Sequence, residues 1–258
     1  MYNYLTKLRK SLEAGTKPFG AILELGHLHI LDAVCGSGMA FVILDNDKGI
    51  FDDNTLQQKT KNKLVDYRMP AMVRTQNASL EAVAKVKDLH TAGLIVPRVT
   101  ALEQVTAIIN EYKAYPMGLR YQEIVLQDPL ALQALERWNE QFLLFIECDS
   151  PFLYEQLETI TAWEGIDGIY VNPDTLYAAM KPMGTTGLHD ALEHLKALCR
   201  DRGKFCMIQE NRDGSSMAIR LMYEHYDAVV SGSDFQLLRN SYLSLSSAIH
   251  KIMLGEDD

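Results

Sequence analysis

The chain has 258 residues, 47% of them hydrophobic, and a formal net charge of −9. That length suits two average domains or one α/β barrel of about 250 residues, and the acidic balance argues against nucleic acid or an anionic membrane as the main partner. Cys35, Cys148, Cys199 and Cys206 show no Cys-x-x-Cys spacing and sit mostly in apolar segments, which points to free thiols in a reduced, cytoplasmic protein.

In chain order, the basic start lacks the apolar run of a leader, and no stretch nears the roughly 18 apolar residues of a spanning helix. Residues 2–14 read as a short amphipathic helix with Tyr4, Leu5, Leu8 and Leu12 on one side, placed to cap the bottom of the domain. Gly15-Thr16-Lys17-Pro18 ends it. A first strand follows over 19–25, then a helix over 28–34 closed by Gly36-Ser37-Gly38. Phe41-Val42-Ile43-Leu44 is the second strand and runs into a dense polar cluster, Asp45-Asn46-Asp47-Lys48-Gly49. A polar helix over 54–67 leads to a third strand, Ala71-Met72-Val73, which ends in Arg74. Ser79 caps a helix over 79–91, and Gly93-Leu94-Ile95-Val96-Pro97 is a fourth strand stopped by its proline. A helix over 101–112, a loop over 113–129 carrying Gly118 and Arg120, and a helix over 129–141 follow.

The run Phe142-Leu143-Leu144-Phe145-Ile146 is too short for a helix and reads as a buried strand that delivers Glu147 at its C-terminal end. A helix over 151–163 and a strand over 166–171 come next, and Asn172-Pro173-Asp174 again places an acid just past a strand. The remainder alternates in the same way: helix 188–202, strand 205–208 followed by Gln209-Glu210-Asn211, helix 215–226, strand 227–230, and a long helix over 235–253. Eight apolar runs alternating with helices are the pattern of a (β/α)8 TIM barrel. No linker-like stretch divides it, so the expectation is a single domain over 1–258, with the N-terminal helix in 1–15, the barrel in 18–234 and the final helix in 235–255.

In a barrel of this kind, polar residues just past the strands line the active face. Here they are Asp45, Asp47, Lys48, Arg74, Glu147 and Asp174, with Gln209 and Asp234 as weaker members. Glu147 and Asp174 stand one βα repeat apart, on adjacent strands, and two hard oxygen donors at one mouth suit Mg²⁺ or Mn²⁺ better than zinc. Arg74 suits a carboxylate in bidentate geometry, and Asp45 or Lys48 suits proton transfer. Each also has a plain reading: the acids cap helices, Arg74 pairs with one of them, and Lys48 faces solvent.

With these residues assembled, the chain resembles the HpcH/HpaI aldolases, metal-dependent pyruvate aldolases, over residues 18–250 or so. The resemblance is strongest where Glu164-Gly165-Ile166-Asp167-Gly168-Ile169-Tyr170-Val171-Asn172-Pro173-Asp174-Thr175-Leu176 looks like the family's Glu-Gly-Val-Asp-Gly-hydrophobic-Gly-Pro-x-Asp-Leu segment. Asp174 is taken as the match to its aspartate, although Asn172 replaces the usual glycine. Val73-Arg74 resembles a Val-Arg-Pro strand end, and the strand before Glu147 resembles the one before the family's metal-binding glutamate. The resemblance implies a divalent metal on Glu147 and Asp174, a 2-oxo acid such as pyruvate or oxaloacetate held by it and by Arg74 with Asn172 and Pro173 beside them, and aldol chemistry through an enolate. It also implies a homo-oligomer built from dimers, commonly a hexamer, in which the last helix packs on a neighbour. The apolar side of that helix here, Leu237, Leu238, Tyr242, Leu245 and Ile249, fits such docking and fits its own barrel equally well.

The chief departure is at the second strand, where the family's Asp-x-Glu-His is Asp45-Asn46-Asp47-Lys48. Two acids beside a lysine raise its pKa, which makes Lys48 a poor base and Schiff-base chemistry there a minor alternative. The loop over 116–128 keeps little of the family's pattern beyond Gly118 and Arg120, so substrate contacts there would differ or be lost. A citrate-forming condensing enzyme of siderophore assembly on the same fold, and a non-catalytic small-molecule binder, are the competing readings.

Overall fold

Each of the eight apolar runs forms a strand, each strand pairs in parallel with the next, and β8 returns to β1, so that the computed structural model is a closed barrel. The structure describes residues 4–86, 89, 91–128, 131–180, 184–210 and 216–254. In order its elements are α1 (Thr6–Glu13), β1 (Phe19–Leu23), α2 (Leu28–Cys35), β2 (Phe41–Asp45), α3 (Asn54–Tyr67), β3 (Ala71–Arg74), α4 (Leu80–Val86), β4 (Gly93–Val96), α5 (Leu102–Tyr112), α6 (Gln122–Gln127), α7 (Leu132–Gln141), β5 (Leu143–Glu147), α8 (Pro151–Glu155), α9 (Leu157–Thr161), β6 (Gly168–Val171), α10 (Pro173–Ala179), α11 (Gly184–Asp201), β7 (Phe205–Gln209), α12 (Ser216–His225), β8 (Ala228–Ser233) and α13 (Asp234–Leu254). Tyr2, Pro129 and Ser215, expected at helix starts, and Asn211, expected after β7, lie outside the described residues.

The strands read as unbroken apolar runs because both of their faces are covered. Ile43, Met72, Ile95, Phe145, Tyr170 and Met207 fill the barrel interior, while alternate residues such as Val42, Leu44, Val73, Leu144 and Ile169 pack outward under the helices. This period of two fixes the top of the lumen. Two residues beyond Ile22, Ile43, Met72, Phe145 and Met207 stand Glu24, Asp45, Arg74, Glu147 and Gln209, on the same inward side. Gly168 allows the tight fit of the interior: a Cβ there would come within 2.4 Å of both the Phe145 ring and the Phe205 carbonyl.

Several elements differ from expectation. β1 stops at Leu23 rather than at 25, because the Asp234 carboxylate accepts the backbone N–H of Glu24 at 2.8 Å and of Leu25 at 3.3 Å. The helix expected over 151–163 is two short ones meeting at Gln156, and α10 fills a stretch left without an element. Within the loop over 113–129, α6 forms. That loop also sits away from the active face. Lys113 Nζ donates to the Phe142 carbonyl at 2.7 Å and to Asp167 at 2.6 Å, and Ala114 exchanges two 2.8 Å hydrogen bonds with the Asn139 amide. These contacts hold it at the N-terminal ends of β5 and β6, where Arg120 lies over the rings of Tyr121 and Trp138, 4.9 Å from each centroid. Arg9 of α1 reaches the same Asp167 at 2.6 Å, while Leu8 and Leu12 join the interior cluster.

The last helix does not lay its apolar side on its own barrel. α13 packs on β1 and β8, yet its apolar side is bare, with Tyr242 71% and Ile252 64% exposed. The cysteines are free, and Cys148, Cys199 and Cys206 are buried. No helix among the described residues is long and apolar enough to cross a membrane.

Candidate active site

The inward residues at the C-terminal ends of the strands enclose a cavity of about 430 Å³, lined by Glu24, Asp45, Asp47, Arg74, Glu147, Asn172, Gln209 and Ser233 from the barrel and by Phe235, Gln236 and Arg239 from α13. Arg74 is its centre. Register sets Asp45 directly beside Arg74 on the neighbouring strand, and the guanidinium reaches across the lumen to β5. Its Nε donates to Glu147 Oε2 at 2.6 Å and its Nη1 to Asp45 Oδ1 at 3.2 Å, with Asp47 Oδ1 at 3.6 Å. Nη2 makes no hydrogen bond to a described residue. Burial works against the arginine's charge, but Glu147 and Asp45 outweigh it and hold the group cationic. Glu147, 1% exposed, is pushed up from the ordinary carboxylate range by the same burial, against the pull of Arg74. Below the cavity Tyr170 donates to the Gln209 side-chain oxygen, sealing the interior.

A second set of contacts forms the rim. Lys48 Nζ meets Glu24 Oε1 at 2.5 Å and lies 6.0 Å from the Phe235 ring centroid. Its hydrogen bond and attraction to Glu24 raise its pKa, and it is not among the residues lining the cavity. The base role expected of Lys48 therefore has no support here: the ammonium stays protonated, is committed to Glu24 and points its charge at the rim. Burial pushes Glu24 up, but hydrogen bonds from Lys48 and Ser233 and the charge of Lys48 outweigh that and lower it overall. Asn46 is a staple rather than a site residue, giving Nδ2 to Asp52 at 2.9 Å and accepting from the Phe51 N–H at 2.8 Å. Arg98, at φ +56°, pairs with Asp47 and donates its backbone N–H to Asp149 at 2.7 Å.

The turn after β6 divides the residues expected there. Asn172 lines the cavity and also caps α10, its Oδ1 accepting from the N–H of Asp174 at 3.0 Å and of Thr175 at 3.4 Å. Pro173 is the first residue of that helix, where a missing N–H costs nothing. Asp174 follows as an exposed residue of the first turn and is not among the residues lining the cavity. The structure thus brings Asp45, Arg74, Glu147 and Asn172 together and leaves Lys48 and Asp174 outside. Glu24, Gln236 and Arg239 were not foreseen. Asp234, a weaker candidate, holds the end of β1 and the start of α13 instead.

The donors at the mouth are oxygens, which suits a hard cation. Among the described residues no three Asp, Glu, His or Cys side chains converge as a ready-made cage. Glu147 Oε1, however, takes no hydrogen bond from a described residue and belongs to a side chain lining the cavity. The set fits an ion such as Mg²⁺, which is held through one or two carboxylates and keeps the rest of its shell for water and substrate.

No family model matches the chain. It is similar to the hydroxypyruvate/pyruvate aldolases of Deinococcus radiodurans, 25% identical over 197 residues that cover 74% of this chain and 70% of that protein, and of Pseudomonas aeruginosa, 23% identical over 255 residues that cover 94% and 92%. Among solved structures, the HpcH/HpaI aldolase from Desulfitobacterium hafniense superposes with a TM-score of 0.78 at 16% identity, covering 94% of this chain and 96% of that one. The citrate synthase SbnG superposes with a TM-score of 0.77 at 20% identity, covering 98% and 100%. A citrate lyase beta subunit from M. tuberculosis, complexed with oxaloacetate and magnesium, gives 0.52 at 11% identity over 86% of this chain and 93% of that one.

Proposed function

The chain belongs to the HpcH/HpaI aldolase family, and on that premise we propose that the mouth cavity binds a small 2-oxo acid and that Arg74, Asp45 and Glu147 work on it there. The activity is that of a carbon–carbon lyase acting on pyruvate or oxaloacetate through an enolate. The buried contact of Arg74 with Glu147 and Asp45 carries the assignment of residues. It fixes a cation at the centre of the cavity and leaves one guanidinium edge, Nη2, turned to no described residue. That edge binds the substrate's carboxylate or oxo oxygen, and the fixed charge stabilises the oxyanion that develops as the enolate forms. Asp45, beside Arg74 and lining the cavity, takes the proton from the carbon next to the oxo group. Asn172 orients the substrate, and Pro173 holds the turn that presents it. A magnesium or manganese ion bound through Glu147 would add Lewis-acid polarisation of the oxo group. Asp174, outside the lining, adds no support as a second ligand.

The remaining expectations fit the same reading. The chain acts as one domain, with α1 as a cap on the barrel's bottom through Leu8 and Leu12. The bare apolar side of α13 docks on a second copy of the chain, giving a dimer-based homo-oligomer that reaches a hexamer by resemblance. A cytoplasmic setting agrees with the free cysteines.

The test is hydrogen–deuterium exchange at the methyl group of pyruvate, followed by NMR with Mg²⁺, with Mn²⁺ and without metal. Metal-dependent exchange is expected, abolished in Glu147→Ala and kept within about threefold in Asp174→Ala, an exposed surface change. No exchange under any condition, with citrate formed instead from oxaloacetate and acetyl-CoA, would replace this reading by the condensing-enzyme alternative, for which the altered second strand speaks.

A further inference from the structure

The segments that follow four consecutive strands meet at one residue that the chemistry above does not use. Arg98 comes directly after Pro97 at the end of β4 and holds φ +56°, the left-handed region that residues other than glycine seldom enter. From there its backbone N–H donates to Asp149 Oδ2, beyond β5, at 2.7 Å. Its Nη1 donates to the Gln76 carbonyl, beyond β3, and its Nη2 forms a close ion pair with Asp47 Oδ1, beyond β2. Asp47 lines the cavity, whereas Arg98 is not among the lining residues. An ion pair whose cation is 52% exposed contributes little to stability. Its consequence lies in where it holds Asp47.

That place matters to Arg74. Asp45 Oδ1 accepts from Arg74 Nη1 at 3.2 Å and from the backbone N–H of Asp47 at 2.9 Å, so the turn itself brings Asp47 to the same guanidinium. Yet Asp47 Oδ1 stays 3.6 Å from Nη1, beyond hydrogen-bond distance. We propose that Arg98 is a positioning residue that holds Asp47 back from Arg74 and so keeps the guanidinium open to the 2-oxo acid. The inference rests on the reading of Arg74 as the partner of the substrate. Arg74 already neutralises Asp45 and Glu147. With Asp47 released, a movement of about half an ångström would bring a third carboxylate into hydrogen-bond contact, and attraction between opposite charges favours that closure in a partly buried site. The protein's own carboxylate would then compete with that of the substrate for one cation. Such competition weakens binding but leaves the bound complex and its proton transfer as they were, so it falls on KM and spares kcat.

The experiment measures methyl exchange of pyruvate by NMR across pyruvate concentrations, with Mg²⁺ and with Mn²⁺. Wild type, Arg98→Met and Arg98→Lys are compared, each with and without Asp47→Asn, and circular dichroism follows the folding of each. Arg98→Met is expected to raise KM roughly tenfold, as for one charge-assisted hydrogen bond lost to a competitor, with kcat held within about twofold. In the presence of Asp47→Asn the same substitution should move KM by less than about twofold, since the amide has no charge to pair with Arg74. Arg98→Lys keeps a cation for Asp47 and should lose less than Arg98→Met; it supplies the comparison if the Met variant does not fold. An equal rise in KM with and without Asp47→Asn would show that Arg98 acts on the substrate directly or through the fold, and would overturn the positioning role. An unchanged KM, or a fall in kcat alone, would overturn it too. Absence of exchange in the wild type would overturn the enolate reading and this role with it.

Discussion

Replacing Arg74 by Gln should unfold the barrel more readily at pH 8 than at pH 5.5. The substitution keeps an amide at the site but removes the cation that Glu147, 1% exposed in its side chain, and Asp45, 18% exposed, both face. Breaking a buried ion pair by deleting one partner costs about 3–5 kcal/mol, because the other charge is left without compensation. Glu147 already has a raised pKa from burial, with Arg74 pulling it back down. Without that pull the carboxyl rises further. The sign follows from proton binding. A folded state that holds a proton the unfolded state has released loses stability as pH rises through the folded pKa, so the deficit is full at pH 8. At pH 5.5 the folded variant keeps more of that proton, and the deficit is smaller. Urea unfolding of wild type, Arg74→Gln and Arg74→Lys at both pH values measures this, with the lysine variant expected to lose less because it keeps the charge. A deficit equal at the two pH values, or below about 1 kcal/mol at pH 8, would show that Glu147 is not held charged by Arg74.

Lys48→Met should leave pyruvate exchange within about twofold, since its ammonium is spent on Glu24 at the rim, and borohydride reduction in the presence of pyruvate should leave no adduct on Lys48 by mass spectrometry. An adduct there would restore a Schiff-base role. Leu245→Glu combined with Ile249→Glu should shift the protein to a smaller species in light scattering while circular dichroism remains that of a folded barrel, because these side chains are 60% and 55% exposed in the isolated chain. An unchanged mass would remove α13 from the subunit interface.

The strands were legible because a parallel strand buried on both sides leaves no polar residue in its interior, and the inward side could be followed by parity from Ile43 to Asp45, Met72 to Arg74 and Phe145 to Glu147. Parity holds only as long as the strand does. β6 ends at Val171, Asn172 turns the chain into α10 by capping it, and Asp174 is carried to the outside of the first turn. Being the first acid after a strand does not by itself place a side chain in the lining. Counted from its proline, the quoted motif's Pro-x-Asp-Leu falls on Pro173-Asp174-Thr175-Leu176, with Asp174 at the free position and Thr175 at that of the aspartate. Glu24 was missed for the converse reason. It looked like an interior residue of a strand running to 25, and the strand stops before it because of Asp234, 210 positions away, a contact with no local trace.

Arg239 shows a different limit, since its helix was read for the apolar side alone. α13 has 21 residues and so extends about 30 Å, of which the start belongs to the cavity and the rest presents bare apolar side chains. Asp234 ties that start to the end of β1, Phe235 lies over Lys48, and Lys48 is paired with Glu24, so the first turn of the helix is fixed to the rim by contacts with both β1 and the segment after β2. A rigid element anchored in this way places Phe235, Gln236 and Arg239 at the cavity while its far end presents the bare apolar side chains. The proposed association through that far end would then steady the start of the helix without supplying any residue to the chemistry. It follows that charged substitutions at Leu245 and Ile249 should spare pyruvate exchange, which is proposed to depend on Arg74, Asp45 and Glu147 inside the barrel.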